Sequence, residues 1–203
     1  MTTMNPHPQT IIIAHHLVWT AYGWWLPNDP RGSLSDRIAS EAISRLGELH
    51  YGRKRVQPPG HVIREFYARA AKVLDFPLLS MGDAEVRVIG EAFVRCMKGN
   101  RYTCYACAIM PDHVHVLIRR HRDDAATMIR NLQTGSRLAL QQCGLRAGHP
   151  VWGGPGWKVF LHTPQDIRTR IQYIEDNPPE MGLLPQKWGF VNGYDGWPLK
   201  GRE

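Results

Sequence analysis

Short runs with apolar positions alternating every second residue are interleaved with longer runs of helical period, and the changes of period outline the chain. Residues 15–22 read as a first strand, Leu17 and Trp19 alternating against Val18 and Thr20. Residues 23–35 are rich in Gly, Pro, Asn and Asp and read as loop, and 36–49 carry a weak helical pattern. Helices are expected over 62–74 and 83–97; in the second, Val86, Ile89, Phe93 and Met97 share a face. Residues 101–110 form a second strand, Pro111-Asp112 a turn, and the run from His113 to Arg120 a third strand. A helix follows over 124–142 with Asp123 as its cap, then a Gly-rich turn over 151–157 and a short strand over 158–162. The last helix starts at Thr163-Pro164 and is stopped by Pro178-Pro179, ahead of an irregular aromatic tail over 187–198. This order suggests an α+β layer, helices on one face of an antiparallel sheet.

Within this outline two elements concentrate polar chemistry. In the third strand His113, His115 and Leu117 share one face, while Val114, Val116 and Ile118 share the other. One face suits a core and the other presents paired imidazoles, a rigid way to hold a divalent ion. With ten histidines in 203 residues, a strand His-x-His is more often a packed pair than a metal site, so a third ligand and a reactive group are needed. The last helix offers both. Ile167, Ile171 and Ile174 form its buried stripe, and Asp166, Arg170, Tyr173 and Asn177 a polar stripe on its flank. Tyr173 and Asn177 lie one turn apart and point the same way. The bland alternative is an amphipathic helix whose tyrosine fills the boundary layer.

Size and charge admit this chemistry without requiring it. The length suits one domain spanning 1–203, with an insertion expected around 23–62. A formal net charge of +7 fits a polyanionic partner. No apolar run reaches the length of a membrane span and no signal-peptide core is visible, so a cytoplasmic protein is expected. Cys96, Cys104, Cys107 and Cys143 do not make a disulfide framework, and Cys104 and Cys107, three apart on a strand, should point to opposite faces. They are expected to be reduced thiols. No repeats or low-complexity tracts are present.

Met110-Pro111-Asp112-His113-Val114-His115, followed by Tyr173-Ile174-Glu175-Asp176-Asn177-Pro178 and Gly182-Leu183, resembles the REP-associated tyrosine transposases. These are a branch of the HUH single-tyrosine transposases and nucleases. The run from His16 to Gly23 and the stretch Asn28-Asp29-Pro30-Arg31-Gly32 resemble the opening of one branch of that family, so the likeness spans nearly the whole chain. The chain departs from it at Pro179-Glu180-Met181, where relatives carry an aliphatic and a basic residue.

The resemblance implies a ferredoxin-like or RRM-like sheet, the HUH endonuclease palm. It implies a metal-dependent single-stranded DNA endonuclease and strand transferase that forms a 5′-phosphotyrosine at REP-like hairpins, with Tyr173 as nucleophile. A divalent ion, Mg²⁺ or Mn²⁺, would be held by His113 and His115, with the Asn177 oxygen as candidate third ligand. Arg119, Arg120, Arg122, Arg130 and Arg137 suit DNA phosphates. Trp24, Trp25, Trp152 and Trp157 could stack on unpaired bases, although tryptophans of this kind are more commonly packed. Single-stranded or hairpin DNA is the expected partner, without a membrane; a homodimer would let the tyrosine helix serve its own histidines or its partner's. A hairpin-binding protein of the same fold that no longer cuts is the alternative, and a metalloenzyme of unrelated chemistry a third.

Overall fold

The computed structural model describes residues 11–33, 35–52 and 54–198. Four strands, β1 (Ala14–Ala21), β2 (Cys104–Ile109), β3 (His113–Arg119) and β4 (Trp152–Leu161), form one sheet of order β2-β3-β1-β4. Every neighbouring pair is antiparallel. The helices are α1 (Glu41–Ser44), α2 (Gly60–Ala70), α3 (Asp83–Asn100), α4 (Ala125–Gln142) and α5 (Pro164–Glu180). Leaving out α1 and α2, the order β1-α3-β2-β3-α4-β4 with this sheet order is the ferredoxin-like split βαβ, as expected.

The alternation within each strand divides the apolar residues between two cores. Leu17, Trp19, Val114, Val116 and Ile118 pack with Ile89 and Phe93 of α3 and Met128, Ile129 and Leu132 of α4. The other face carries Ala14, Ala108 and Leu117, packed with Ile167 and Ile174 of α5. Thus α3 and α4 cover one face, as read from the sequence, and α5 is added across the second. The chain between β1 and α3 gathers around its own small cluster of Leu26, Leu46, Phe66, Tyr67 and Ala70. The tail shields β2, one of the sheet's two edge strands. The Gln186 amide makes two hydrogen bonds with the Ile109 backbone, 2.7 and 2.8 Å, and Asn192 N–H donates to Cys104 O at 2.8 Å.

Several local expectations are corrected. The helix expected over 36–49 shrinks to the single turn of α1. Asp124, not Asp123, caps α4: its carboxylate accepts from Thr127 N–H at 2.7 Å. All but the first residue of the Gly-rich turn expected over 151–157 belong to β4, which pairs with β1 through a bulge between Val18 and Thr20. Gly156 sits at φ +75°, and a Cβ there would lie 2.7 Å from Val18 O; this close approach is what the glycine permits. A second bulge, between Cys104 and Ala106, re-aims β2 so that Cys104 and Cys107 face the same core rather than opposite ones. Burial pushes the Cys104 thiol up to about 12, and all four cysteines are free thiols.

The two prolines do not stop α5. They remove only their own N–H donors, and the helix runs on to Glu180. The stop is Gly182 at φ +72°, where Leu183 N–H bonds Pro178 O at 2.8 Å and Gly182 N–H bonds Pro179 O at 2.9 Å, a Schellman closure. Among the described residues no helix is long and apolar enough to cross a membrane.

Candidate active site

The site is built from three segments that lie far apart in sequence. β3 supplies His113 and His115 on the α5 face, as its alternation requires. β1 supplies a histidine that the sequence reading did not place in the site. Because Val18 pairs with His115 and His16 with Leu117, His16 is the diagonal neighbour of His115 on the same face. His16 Nε2 and His115 Nδ1 are 2.9 Å apart, and their rings stack with centroids separated by 5.1 Å. α5 supplies the tyrosine. Thr163 and Asp166 close a reciprocal capping box at its start, Asp166 N–H donating to Thr163 Oγ1 at 3.1 Å and Thr163 N–H to Asp166 Oδ2 at 2.9 Å. Burial of Ile167 and Ile174 against the sheet then fixes the helix rotation. Tyr173, beside Ile174, consequently stands over the histidines, its ring 5.6 Å from that of His115 and 6.0 Å from that of His16. It is 40% exposed, so one side of the phenol faces solvent.

The hydrogen bonds constrain where protons sit. His113 Nδ1 is 2.6 Å from Asp112 Oδ1. Burial pushes Asp112 up, but the hydrogen bond and charge of His113 outweigh it and carry the carboxyl below its usual range. An ionised carboxylate only accepts, so His113 donates from Nδ1, and its Nε2 lone pair is free when the ring is neutral. His16 and His115 are both held neutral. Burial, aided by the positive charge of Arg170, lowers His16 to about 3. Burial, the neighbouring imidazoles and the same arginine lower His115 well below its ordinary value. Of the two facing nitrogens one donates; when it is His115 Nδ1, the bare nitrogen of His115 is Nε2. Asn177 donates from Nδ2 to the Tyr173 carbonyl at 2.5 Å, which leaves Oδ1 unspent.

His113 Nε2, His115 Nε2 and the Asn177 oxygen are the donors that would hold an ion here, two imidazoles and one amide oxygen. That set suits a divalent ion with open positions for oxygen ligands, Mn²⁺ more naturally than Mg²⁺. Asp112 and His16 stand behind the two imidazoles as orienting partners. Among the described residues no three His, Cys, Asp or Glu side chains are arranged to hold an ion by themselves, so an ion here would need the amide oxygen or water as a further ligand.

The arginines expected to meet DNA are not at this site. Arg119, Arg120 and Arg122 leave the far end of β3, about 20 Å from His113 at ~3.3 Å per residue. Arg119 is engaged there by Asp195 at 3.3 Å and by the Trp197 ring at 4.1 Å. Arg120 and Arg122 line an open cavity of about 390 Å³ together with His15 and His121. Arg130 and Arg137 belong to α4, in the layer on the opposite face of the sheet. Of the tryptophans, Trp24 and Trp152 are packed, with indole N–H groups on Leu79 O and Gln133 O, and Trp25 lies under the Arg31 guanidinium. Trp157 differs from them. It pairs with Val18, which pairs with His115, so all three share one face and one row across the sheet. Arg170 of α5 does lie at the site, its guanidinium 5.2 Å from the Tyr173 ring.

Fold and site together define an α+β protein with a ferredoxin-like sheet that carries three histidines beneath one added helix, which itself bears a tyrosine and an asparagine. The fold is similar to that of a REP-associated tyrosine transposase solved bound to a REP hairpin: 12% identity, TM-score 0.46, over 91% of this chain and 76% of that one. A transposase candidate from Deinococcus radiodurans R1 is also similar: 13% identity, TM-score 0.37, over 86% of this chain and 97% of that one. No family model and no curated protein matches the chain.

Proposed function

We propose that the protein cleaves and rejoins single-stranded DNA through Tyr173, acting as a tyrosine transposase or nuclease on imperfect hairpins of the REP type. The observation that carries this reading is the convergence of Tyr173, from α5, on His115 and His16, from two different strands, with Asn177 one turn on. An amphipathic helix with a space-filling tyrosine does not account for a half-exposed phenol above a buried pair of neutral imidazoles.

In the proposed step Tyr173 Oη attacks the phosphorus of a phosphodiester. The Oη–P bond forms as the P–O3′ bond breaks, the phenolic proton passes to solvent, and the departing O3′ takes up a proton. The products are a 5′-phosphotyrosine and a free 3′ hydroxyl, and attack by a second 3′ hydroxyl reverses the step and joins strands. A Mg²⁺ or Mn²⁺ ion held by His113, His115 and Asn177 would, when bound, polarise the scissile phosphate. Asp112 holds the His113 tautomer and His16 faces His115, so both keep ligands oriented without touching substrate. A single chain brings Tyr173 to its own histidines, which favours cleavage in cis.

Recognition would draw on two further surfaces. Trp157, in the same row of the sheet as His115, suits stacking by an unpaired base. Arg120 and Arg122 at the far end of β3 would meet a hairpin stem: about 20 Å corresponds to roughly six base pairs at ~3.4 Å each. Arg130, near the start of α4, extends this basic surface; Arg119 and Arg137 are partly committed to Asp195 and Gln141. Residues 23–62 are proposed as the insertion within one domain, and a DNA substrate places the work in the cytoplasm.

The test uses labelled single-stranded oligonucleotides spanning the hairpins that flank the protein's own gene, with Mn²⁺ or Mg²⁺. A denaturation-resistant adduct with wild type, absent in Tyr173→Phe and in His113→Ala, is expected. Cleavage that survives in Tyr173→Phe would refute the nucleophile. Tight hairpin binding with no cleavage by any variant would identify the recognition protein instead.

A further inference from the structure

We infer that Arg170 is the anion anchor of the site, binding the non-bridging oxygens of the phosphate that Tyr173 attacks; this rests on the function proposed above. The guanidinium lies over the phenol ring at 5.2 Å and is half-buried. It makes no ion pair and no side-chain hydrogen bond among the described residues. Arg31, Arg45, Arg119, Arg122 and Arg146 each lie within 4.0 Å of a carboxylate. Arg170 has the Tyr173 ring beside it, and that ring stands 5.6 Å from His115 and 6.0 Å from His16. A half-buried guanidinium met by an aromatic face alone has none of its five N–H donors hydrogen-bonded among the described residues, and those donors are available to an anion.

The missing partner is an anion that arrives from outside. Its position is set by what surrounds the arginine: the Tyr173 phenol on one side and the His115–His16 pair beneath. A phosphodiester bound there presents two non-bridging oxygens to a planar fork that matches them in a bidentate way, which an ammonium does not. Placement three residues before Tyr173 on one helix turn holds anchor and nucleophile at a fixed separation, so an oxyanion on Arg170 is positioned against Tyr173. The charge that builds on those oxygens during attack is then met by a preorganised donor. The role differs from that of Arg120 and Arg122, which lie about 20 Å away along the sheet and cannot touch the same phosphate.

Two measurements separate this inference from the function it rests on. In the first, inorganic phosphate is titrated into full-length protein carrying ¹³C-labelled tyrosine, with Mg²⁺ present. The Tyr173 ring signal is assigned by its loss in Tyr173→Phe. Saturable movement of that signal is expected in wild type, with at least a tenfold weaker apparent affinity in Arg170→Gln and an intermediate one in Arg170→Lys, which keeps the charge and guards against misfolding. Arg45→Gln, at an exposed position beside α1, should leave the titration unchanged. The same phosphate affinity in wild type, Arg170→Gln and Arg170→Lys, or no movement of the Tyr173 signal in wild type, overturns the anchor. In the second, the covalent adduct with hairpin oligonucleotides is scored for the same proteins. A normal adduct rate in Arg170→Gln also overturns the anchor. Phosphate binding that depends on Arg170, with no adduct from wild type, would leave the anion site standing and reject strand cleavage.

Discussion

The buried His16–His115 pair makes a quantitative prediction about acid stability. His16 is 2% exposed and its folded-state value is about 3, against 6.5 for an ordinary imidazole. Between these values the unfolded chain binds a proton that the folded protein refuses, so stability rises with pH through this window. The contribution is complete above about pH 6.5, falls as the solution is acidified, and levels off near pH 3. Each unit below 6.5 costs about 1.4 kcal/mol for one such group, so acidification to pH 4.5 costs roughly 2–3 kcal/mol from His16 alone. For a chain of this size that corresponds to roughly 5–10 °C in Tm. His115 is displaced in the same direction and adds to the slope. His16→Gln keeps an acceptor toward His115 but does not titrate. Urea unfolding of wild type and His16→Gln at pH 7.0, 5.5 and 4.5 isolates the term, because carboxylates contribute equally to both proteins. The variant should lose about 2–3 kcal/mol less than wild type between pH 7.0 and 4.5. Equal losses, within about 0.5 kcal/mol, would refute the claim that a neutral, desolvated His16 stands behind His115.

Other outcomes follow from the same geometry. Chelation with EDTA should abolish the covalent adduct while hairpin binding, read by gel shift, persists; an undiminished adduct would exclude the His113–His115–Asn177 ion. Trp157→Ala should weaken single-stranded DNA binding by about 1–3 kcal/mol in fluorescence anisotropy, with Trp152→Ala instead lowering thermal stability. Arg120→Gln and Arg122→Gln should each reduce the slope of log affinity against log salt by about one, measured on a duplex hairpin stem. Gly156→Ala forces a Cβ to 2.7 Å from Val18 O at positive φ and should destabilise the fold by about 2 kcal/mol or more in chemical denaturation.

Much of this site could be read in one dimension because its parts are local. Two-residue alternation placed His113 and His115 on one face of β3. The spacing of Ile167, Ile171 and Ile174 fixed which side of α5 turns inward, and Thr163, Pro164 and Asp166 fixed where that helix begins. These are properties of neighbouring residues, set by backbone geometry before any long-range contact forms. The sheet's class was legible for the same reason, since the periods of strand and helix follow one another in order. The end of α5 is not set by the two prolines, which its last turn accommodates, but by the left-handed Gly182 three positions past Pro179.

What the sequence could not carry is register. His16 looks like any strand residue until β1 is laid against β3 with Val18 opposite His115, and that alignment is decided by packing of both strands on α3 and α4. One bulged residue re-aims everything beyond it, so Cys104 and Cys107 came to one core and the Gly-rich run joined β4. The placement of α5 on the face away from α3 and α4 is likewise a tertiary outcome: Leu117, Ala108 and Ala14 leave an apolar patch there that Ile167 and Ile174 cover. The sequence alone determined which side chains each element presents; only the packing of elements decided that Tyr173, Arg170, His16 and His115 meet, because that meeting depends on contacts between residues far apart in the chain.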